Sequence, residues 1–262
     1  MATISLSEQA KKDYDNSATS YNDYSLLPSG KLEMQLIETA LGDCTGLAVL
    51  DLGGGTGLHA RQAIELGATS IDLVDISPGM LKIAQELEES LGRKNVIRFF
   101  EADVSKPLLD LPLRENGYDI VMANWIFDFA DTMEVLEGMF HNIVQYLKPG
   151  GRFIGIRIAD PRSSAFQNNR YGVTCPWIKE IPGGVKYYCV LRCTPPIEFE
   201  AASLEVIYSG STEMYEKFGL TDVTIVPYER AEVIQKDPEF WQGFLERPFL
   251  AVVQAVKKQE GA

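Results

Sequence analysis

The stretch Ala48-Val49-Leu50-Asp51-Leu52-Gly53-Gly54-Gly55-Thr56-Gly57-Leu58-His59 constrains this chain more than any other. Its apolar, β-branched opening reads as a short buried strand, and its clustered glycines as a turn that lets a ligand approach the backbone closely. A helix begins at Leu58. The bland alternative is a tight turn with no ligand, and four glycines in residues 53–57 count against it. Strand, glycine turn and helix in that order point to a nucleotide-like ligand at the edge of an α/β sheet. The strand–helix alternation continues downstream. Residues 71–76 read as a second strand, with Ser77 as N-cap and Pro78 in the first turn of the next helix. Residues 95–104 and 118–124 read as a third and fourth. A helix over 133–147 stops at Lys148-Pro149-Gly150-Gly151, where proline ends the helix and glycine takes a left-handed turn before a strand at 152–158. This pattern predicts a parallel sheet with the ligand at the carboxyl ends of its strands.

Two ligands compete for the glycine turn. Gly55-Thr56-Gly57-Leu58-His59-Ala60 fits a loose G-x-G-x-x-A dinucleotide pattern. A pyrophosphate, however, sits on backbone N–H groups at a helix start, where the dipole favours anions. Asp51 at the lip of that loop would repel it. S-adenosylmethionine (SAM) carries an ammonium and a sulfonium and no phosphate, and a strand-end acid beside open glycine backbone suits it. The Asp-x-Gly-x-Gly-x-Gly run from Asp51 to Gly57 resembles motif I of the class I SAM-dependent methyltransferases. The helix–Leu-Lys-Pro-Gly-Gly–strand junction is a second feature similar to that class. Together the resemblance covers residues 45–160. It implies a Rossmann-like, seven-stranded, mostly parallel sheet with helices on both faces, an antiparallel last strand and SAM as cofactor.

The resemblance also assigns roles residue by residue. Asp51, Gly53, Gly55 and Gly57 supply the motif I corner. Asp75, about twenty residues on, is a pure acceptor with two oxygens for the two ribose hydroxyls, and Ile76 and Met80 either sandwich the adenine or belong to the core. Asp103 and Val104 match the acid and following backbone N–H that meet the adenine edge, and Asn124 ends the fourth strand. Tyr14 and Tyr21, spaced as in segments that close over SAM, either do so or pack one helix on another. Asn124-Trp125-Ile126-Phe127 stands where amino-group DNA and protein methyltransferases carry Asn/Asp-Pro-Pro-aromatic; the prolines are missing, and that mode of recognition is not expected.

The chain accordingly divides into an N-terminal helical segment (1–44), a SAM-binding core (45–160), a substrate cap (161–210) and the rest of the core sheet (211–262). In the last part, 211–219 is expected as a helix and 221–227 and 248–256 as strands, with 228–247 on the ligand face. Residues 185–191, 197–199 and 204–208 read as antiparallel strands of a small β cap. An aromatic cap suits a flat organic acceptor and excludes water; Trp125, Phe127, Trp177, Tyr187 and Trp241 are the candidates to touch it, although any one of them equally suits a structural place. No catalytic residue is required by an in-line methyl transfer unless the acceptor must lose a proton. His59, Asp128 and the cap tyrosines are the candidates for that task, with His59 expected at a solvent position in the first helical turn.

Composition narrows the rest. A net charge of −13 disfavours nucleic acid and anionic membrane as partners. Four cysteines without C-x-x-C spacing and two histidines offer poor material for a metal site or a disulfide framework, so no metal is expected. The first residues lack the basic and apolar regions of a signal peptide, and no apolar run is long enough to span a bilayer. A reduced, cytoplasmic protein is the expectation, with the oligomeric state open. The function expected from the resemblance is methyl transfer from SAM to oxygen or nitrogen of a small organic, specialised metabolite. The layout is similar to the toxoflavin-pathway N-methyltransferase type. An NAD(P)-dependent reductase and a non-catalytic SAM-binding partner of another protein are the alternatives; the first lacks a Tyr-x-x-x-Lys pair.

Overall fold

The computed structural model describes residues 4–259. Among the described residues, eleven strands divide between two sheets. The larger comprises β1 (Ala48–Leu52), β2 (Ser70–Asp75), β3 (Ile97–Glu101), β4 (Tyr118–Ala123), β5 (Leu147–Ile158), β10 (Leu220–Ile225) and β11 (Leu250–Lys257), in the spatial order β10-β11-β5-β4-β1-β2-β3. The β1, β2, β3, β4 and β5 ladders are parallel, and β11 runs antiparallel between β5 and β10. This is the Rossmann-like sheet with one reversed strand that the sequence predicts.

Every residue of β1 is buried, as a strand flanked by helices on both faces demands. Its alternation sets which side chain meets which layer. Val49 joins a core shared with α2 (Pro28–Leu41) and α3 (Leu58–Glu65), while Ala48, Leu50 and Leu52 join a second core shared with α5 (Met133–Tyr146). Asp51 therefore shares the face of Val49 at the carboxyl end of the sheet. Helix starts obey their caps: Ser5 and Glu8 form a reciprocal capping box on α1 (Leu6–Tyr21), and Ser77 Oγ accepts from Met80 N on α4 (Pro78–Ser90). Gly150 takes the left-handed turn after α5, at φ 74°.

The smaller sheet is the cap. It pairs β6 (Val173–Thr174), β7 (Ile178–Ile181) and β9 (Ile197–Leu204) with β8 (Gly184–Leu191), all antiparallel. Residues 205–208, expected as a strand, instead form the short helix α7 (Glu205–Tyr208). The strand ends because Glu205 N donates to Gly183 O, turning the chain so that Ile207 is buried in the core on the α5 side of the main sheet. Residues 228–247 contain α9 (Glu232–Lys236) and α10 (Pro238–Glu246), and Val233 N is held by Gln35 Oε1 of α2 at 2.9 Å. That segment packs beside the site without entering it. Among the described residues no helix is long and apolar enough to cross a membrane, and no group of His, Cys, Asp and Glu is placed to hold a metal ion.

Candidate active site

A cavity opens at the carboxyl ends of β1, β2, β3 and β4, under α1. Its walls include Gly53, Gly55, Asp75, Ile76, Met80, Asp103, Val104 and Asn124 from the sheet edge, and Tyr14 and Tyr21 from the N-terminal helix. Asp75 bridges two turns, with Oδ2 accepting from Gly55 N and Oδ1 from Ser77 N, both at 2.8 Å. Burial pushes its carboxyl up to about 6, against the pull of those backbone donors. Asp103 accepts from Ser105 N at 2.9 Å and stays half-exposed.

Asp51 stands deeper, in a recess behind the glycine loop that it shares with Glu33, His59, Asn124 and Trp125. It is 1% exposed, and neither carboxylate oxygen has a partner. Burial raises it to about 7. Both polar atoms of the Asn124 amide, also buried, are equally without partners. Buried polar groups are nearly always hydrogen-bonded, so an orphaned carboxylate and amide at one cavity wall mark the place of a polar, cationic guest.

Glu33 organises the other side of the recess. This buried glutamate accepts from Tyr24 Oη and Trp125 Nε1, each at 2.8 Å, and lies 3.0 Å from His59 Nε2. Burial works to lower the His59 pKa, yet the hydrogen bond and charge of Glu33 outweigh it and leave the imidazole raised. Trp125 holds a left-handed backbone, φ 64°, which a bulky side chain rarely adopts. Its N–H donates to Ile156 O at 2.9 Å, and the Glu33 bond fixes the indole.

A second chamber adjoins the first, and Tyr14, Tyr21, Trp125 and Phe129 line both. Cap residues Tyr187, Cys189 and Phe199 close it, with Asp128 at its wall. Tyr14 meets Phe129 and Phe199 at ring-centroid distances of 5.7 Å, so α1, the core and the cap join there.

Residues 49–151 match the family described as methyltransferase domain. They form a class I, SAM-dependent methyltransferase domain. The ubiquinone/menaquinone biosynthesis C-methyltransferase UbiE of Idiomarina loihiensis is 31% identical over 129 residues, covering 47% of this chain and 48% of that protein. The chain thus spans about half the length of this curated relative. The SAM-dependent methyltransferase structure from Mesorhizobium loti matches at a TM-score of 0.58 and 20% identity, over 88% of this chain and all of that one. The [4+2]-cyclase SpnF matches at 0.60 and 16% identity, over 99% and 98% respectively. At these identities the two structures share the fold.

The methyltransferase core gathers most of the sequence-predicted cofactor residues around the first cavity, with Asp51 in the adjoining recess. Gly57 lies outside both, as the N-cap of α3 at φ 79°. The candidate acceptor residues divide. Trp125 and Tyr187 line the second chamber. Phe127 points to the opposite face and stacks on Phe140 at 4.8 Å. Trp241 stacks on Tyr171 at 5.0 Å inside the core, and Trp177 lies over Tyr188 on the surface, 39% exposed. His59 is buried rather than solvated, because Glu33 draws it inward.

Three residues around the site escape sequence reasoning. Besides Glu33, Lys11 Nζ donates to Ile76 O at 2.8 Å and to Glu101 Oε1, and Asp15 Oδ1 accepts from Ser77 Oγ at 2.6 Å and Gly79 N at 3.0 Å. These bonds fasten α1 across the mouth of the cavity. Asp15 sits beside Tyr14, and that adjacency is the one trace of its role in the sequence.

Proposed function

We propose that this chain is a SAM-dependent methyltransferase acting on a small, flat, largely apolar acceptor held in the second chamber. The orphaned Asp51 carboxylate carries the reading. A buried carboxylate with no hydrogen-bond partner, beside Asn124 and open glycine backbone, fits the ammonium end of SAM, whereas a pyrophosphate there would be repelled by it. Asp75 would accept the ribose hydroxyls, and Asp103, Ile76, Met80 and Val104 would surround the adenine. Tyr14 and Tyr21, on the fastened α1, would cover the cofactor and divide it from the acceptor. Bound SAM supplies an electrophilic methyl carbon with a neutral thioether as leaving group.

The chain's own contribution is positioning and the exclusion of water. Trp125 and Phe129 stand where the two chambers meet, and the rigid Trp125 backbone gives that junction a fixed shape. The acceptor belongs, on this reading, to specialised metabolism. Several of the curated relatives are C-methyltransferases by name, so carbon joins oxygen and nitrogen as a position for the methyl group. A purely SAM-binding regulatory role leaves the second chamber without a purpose.

The test is titration calorimetry with SAM, S-adenosylhomocysteine (SAH) and NADH, followed by incubation of the chain with labelled SAM and a panel of aromatic acceptors. SAM and SAH bind and NADH does not; label moves to an organic product. Binding of NADH with no binding of SAM overturns the proposal.

A further inference from the structure

Asp128 is the carboxylate that lines the second chamber, and among the described residues no Lys, Arg or His lines it. It lies in the turn after β4, 2% exposed, with Oδ1 accepting from Tyr187 Oη at 2.8 Å and Oδ2 from Ile158 N at 3.2 Å. A carboxylate has about four lone-pair sites, and these donors occupy two. The group is pinned from the cap and from the core sheet, and its remaining capacity serves a chamber walled mostly by rings and aliphatic side chains. An anionic acceptor placed there would be desolvated beside Asp128 with no cation to meet it. An amine attacks through a lone pair it already has. A hydroxyl needs its proton removed as it attacks.

We infer that Asp128 is a catalytic residue that takes the proton of a weakly acidic hydroxyl, phenol or enol, on the acceptor, and that Tyr187 is the positioning residue that holds it. The inference rests on the methyltransferase reading. In this step the acceptor's O–H bond breaks, a new O–H bond forms on Asp128, and the electron pair left on the acceptor becomes the nucleophile. In a phenol or enol that pair is shared with a neighbouring carbon, so methylation at oxygen and at carbon draw on the same proton transfer.

The surroundings support a base working near neutrality. The titratable and charged groups facing Asp128 are Tyr187 and Cys189 on β8, Tyr14 on α1, Tyr215 on α8 (Glu213–Lys217), and Arg157 on β5, and the Ser203 hydroxyl of β9 lies near it as well. Burial pushes the three tyrosines and the thiol up, so they stay protonated, while the Arg157 guanidinium is engaged with Ile158 O at 2.9 Å. Burial pushes Asp128 itself up to about 7, with the Tyr187 hydrogen bond opposing.

The test compares calorimetric binding of 2-naphthol and its methyl ether, 2-methoxynaphthalene, to the SAH-loaded chain on either side of neutral pH. The wild type is set beside Asp128→Asn and Tyr187→Phe. Above neutrality the naphthol binds about tenfold or more tightly than the ether, the worth of a hydrogen bond to a charged acceptor, and the preference fades as Asp128 takes up its proton. Asp128→Asn abolishes the preference at every pH. Tyr187→Phe keeps it but moves its midpoint upward, since the donor that favoured the carboxylate is gone; a merely structural tyrosine would alter both probes together without moving the midpoint. Naphthol that fails to bind, binds no better than the ether, or keeps its preference in Asp128→Asn overturns the inference alone while SAH binding stands. An unmoved midpoint in Tyr187→Phe overturns the positioning role. A wild-type chain that does not bind SAH overturns the methyltransferase reading and the inference with it.

Discussion

His59 Nε2 lies 3.0 Å from Glu33 Oε1, a contact between the helix after the glycine loop and a helix that precedes the first strand. The same glutamate holds Tyr24 and Trp125, so removing it strands three donors in a buried recess. Breaking a buried network by deleting its central anion costs about 3–5 kcal/mol. Glu33→Ala is therefore expected to lose that much stability in denaturant titration. Glu33→Gln, which keeps an acceptor oxygen, is expected to lose about 1–3 kcal/mol. Equal stability of wild type and Glu33→Ala would show that the recess stands without its hub.

Asp51 makes the stability of the unliganded chain depend on pH. Its folded-state carboxyl is raised to about 7, above the unfolded value, as are Asp128 at about 7 and Asp75 at about 6. A raised folded-state pKa means the fold favours the protonated form. The resulting stability is full below the unfolded carboxylate range and is lost as pH rises through 6 to 7. His59, also raised, acts in the same direction. The melting temperature of the ligand-free chain is thus expected to fall from about pH 5 to about pH 8, by a stability loss on the order of a few kcal/mol. Asp51→Asn flattens the curve and is more stable than wild type at the alkaline end, at the expense of SAM affinity. Wild-type affinity for SAM improves as pH rises through the same window, because the ammonium meets a charged partner. A melting curve indifferent to pH in both proteins contradicts this assignment.

Asp75 serves the ligand and the loop at once, since Gly55 N and Ser77 N both donate to it. Asp75→Ala is expected to weaken SAM binding by about 1.5–3 kcal/mol, the range for hydrogen bonds to a charged group. Calorimetry on SAH gives the same loss, because both compounds carry the ribose. Unchanged affinity would place the ribose elsewhere.

The geometry of strands decides how much of this site is legible in the sequence. A residue at the end of a parallel strand has its depth set by the strand and its face by alternation, so the places of Asp51, Asp75 and Asp103 at the carboxyl edge are legible from the strand pattern, while the roles given to them come from the family resemblance. Glu33 is not. It reads as an ordinary helix glutamate, and Trp125, 92 residues away, is what makes it a buried hub. Lys11 and Asp15 are hidden for the same reason, their partners lying just after β2, at the end of β3 and at the start of α4. Residues 204–208 mislead because Leu-Glu-Val-Ile-Tyr has strand character, yet the bend at Gly183 and the burial of Ile207 decide in favour of helix.

The aromatic residues of the cap region show the same limit, and they can be sorted by experiment. Trp241 and Trp177 look alike in sequence, each an aromatic in a segment leaving the carboxyl edge of the sheet. Trp241 is 2% exposed and stacked on Tyr171, whose hydroxyl in turn accepts from Phe244 N at 3.1 Å. Trp241→Ala is expected to cost about 3–5 kcal/mol in denaturant titration, as truncation of a buried large aromatic does. Trp177 stacks on Tyr188 and is 39% exposed, so Trp177→Ala is expected to cost less than about 1.5 kcal/mol. Neither side chain lines the chambers, and SAH affinity is expected to match wild type in both folded variants. A fall in SAH affinity with Trp241→Ala, measured where the variant remains folded, would mean that the packing under α10 sets the shape of the cofactor cavity from a distance.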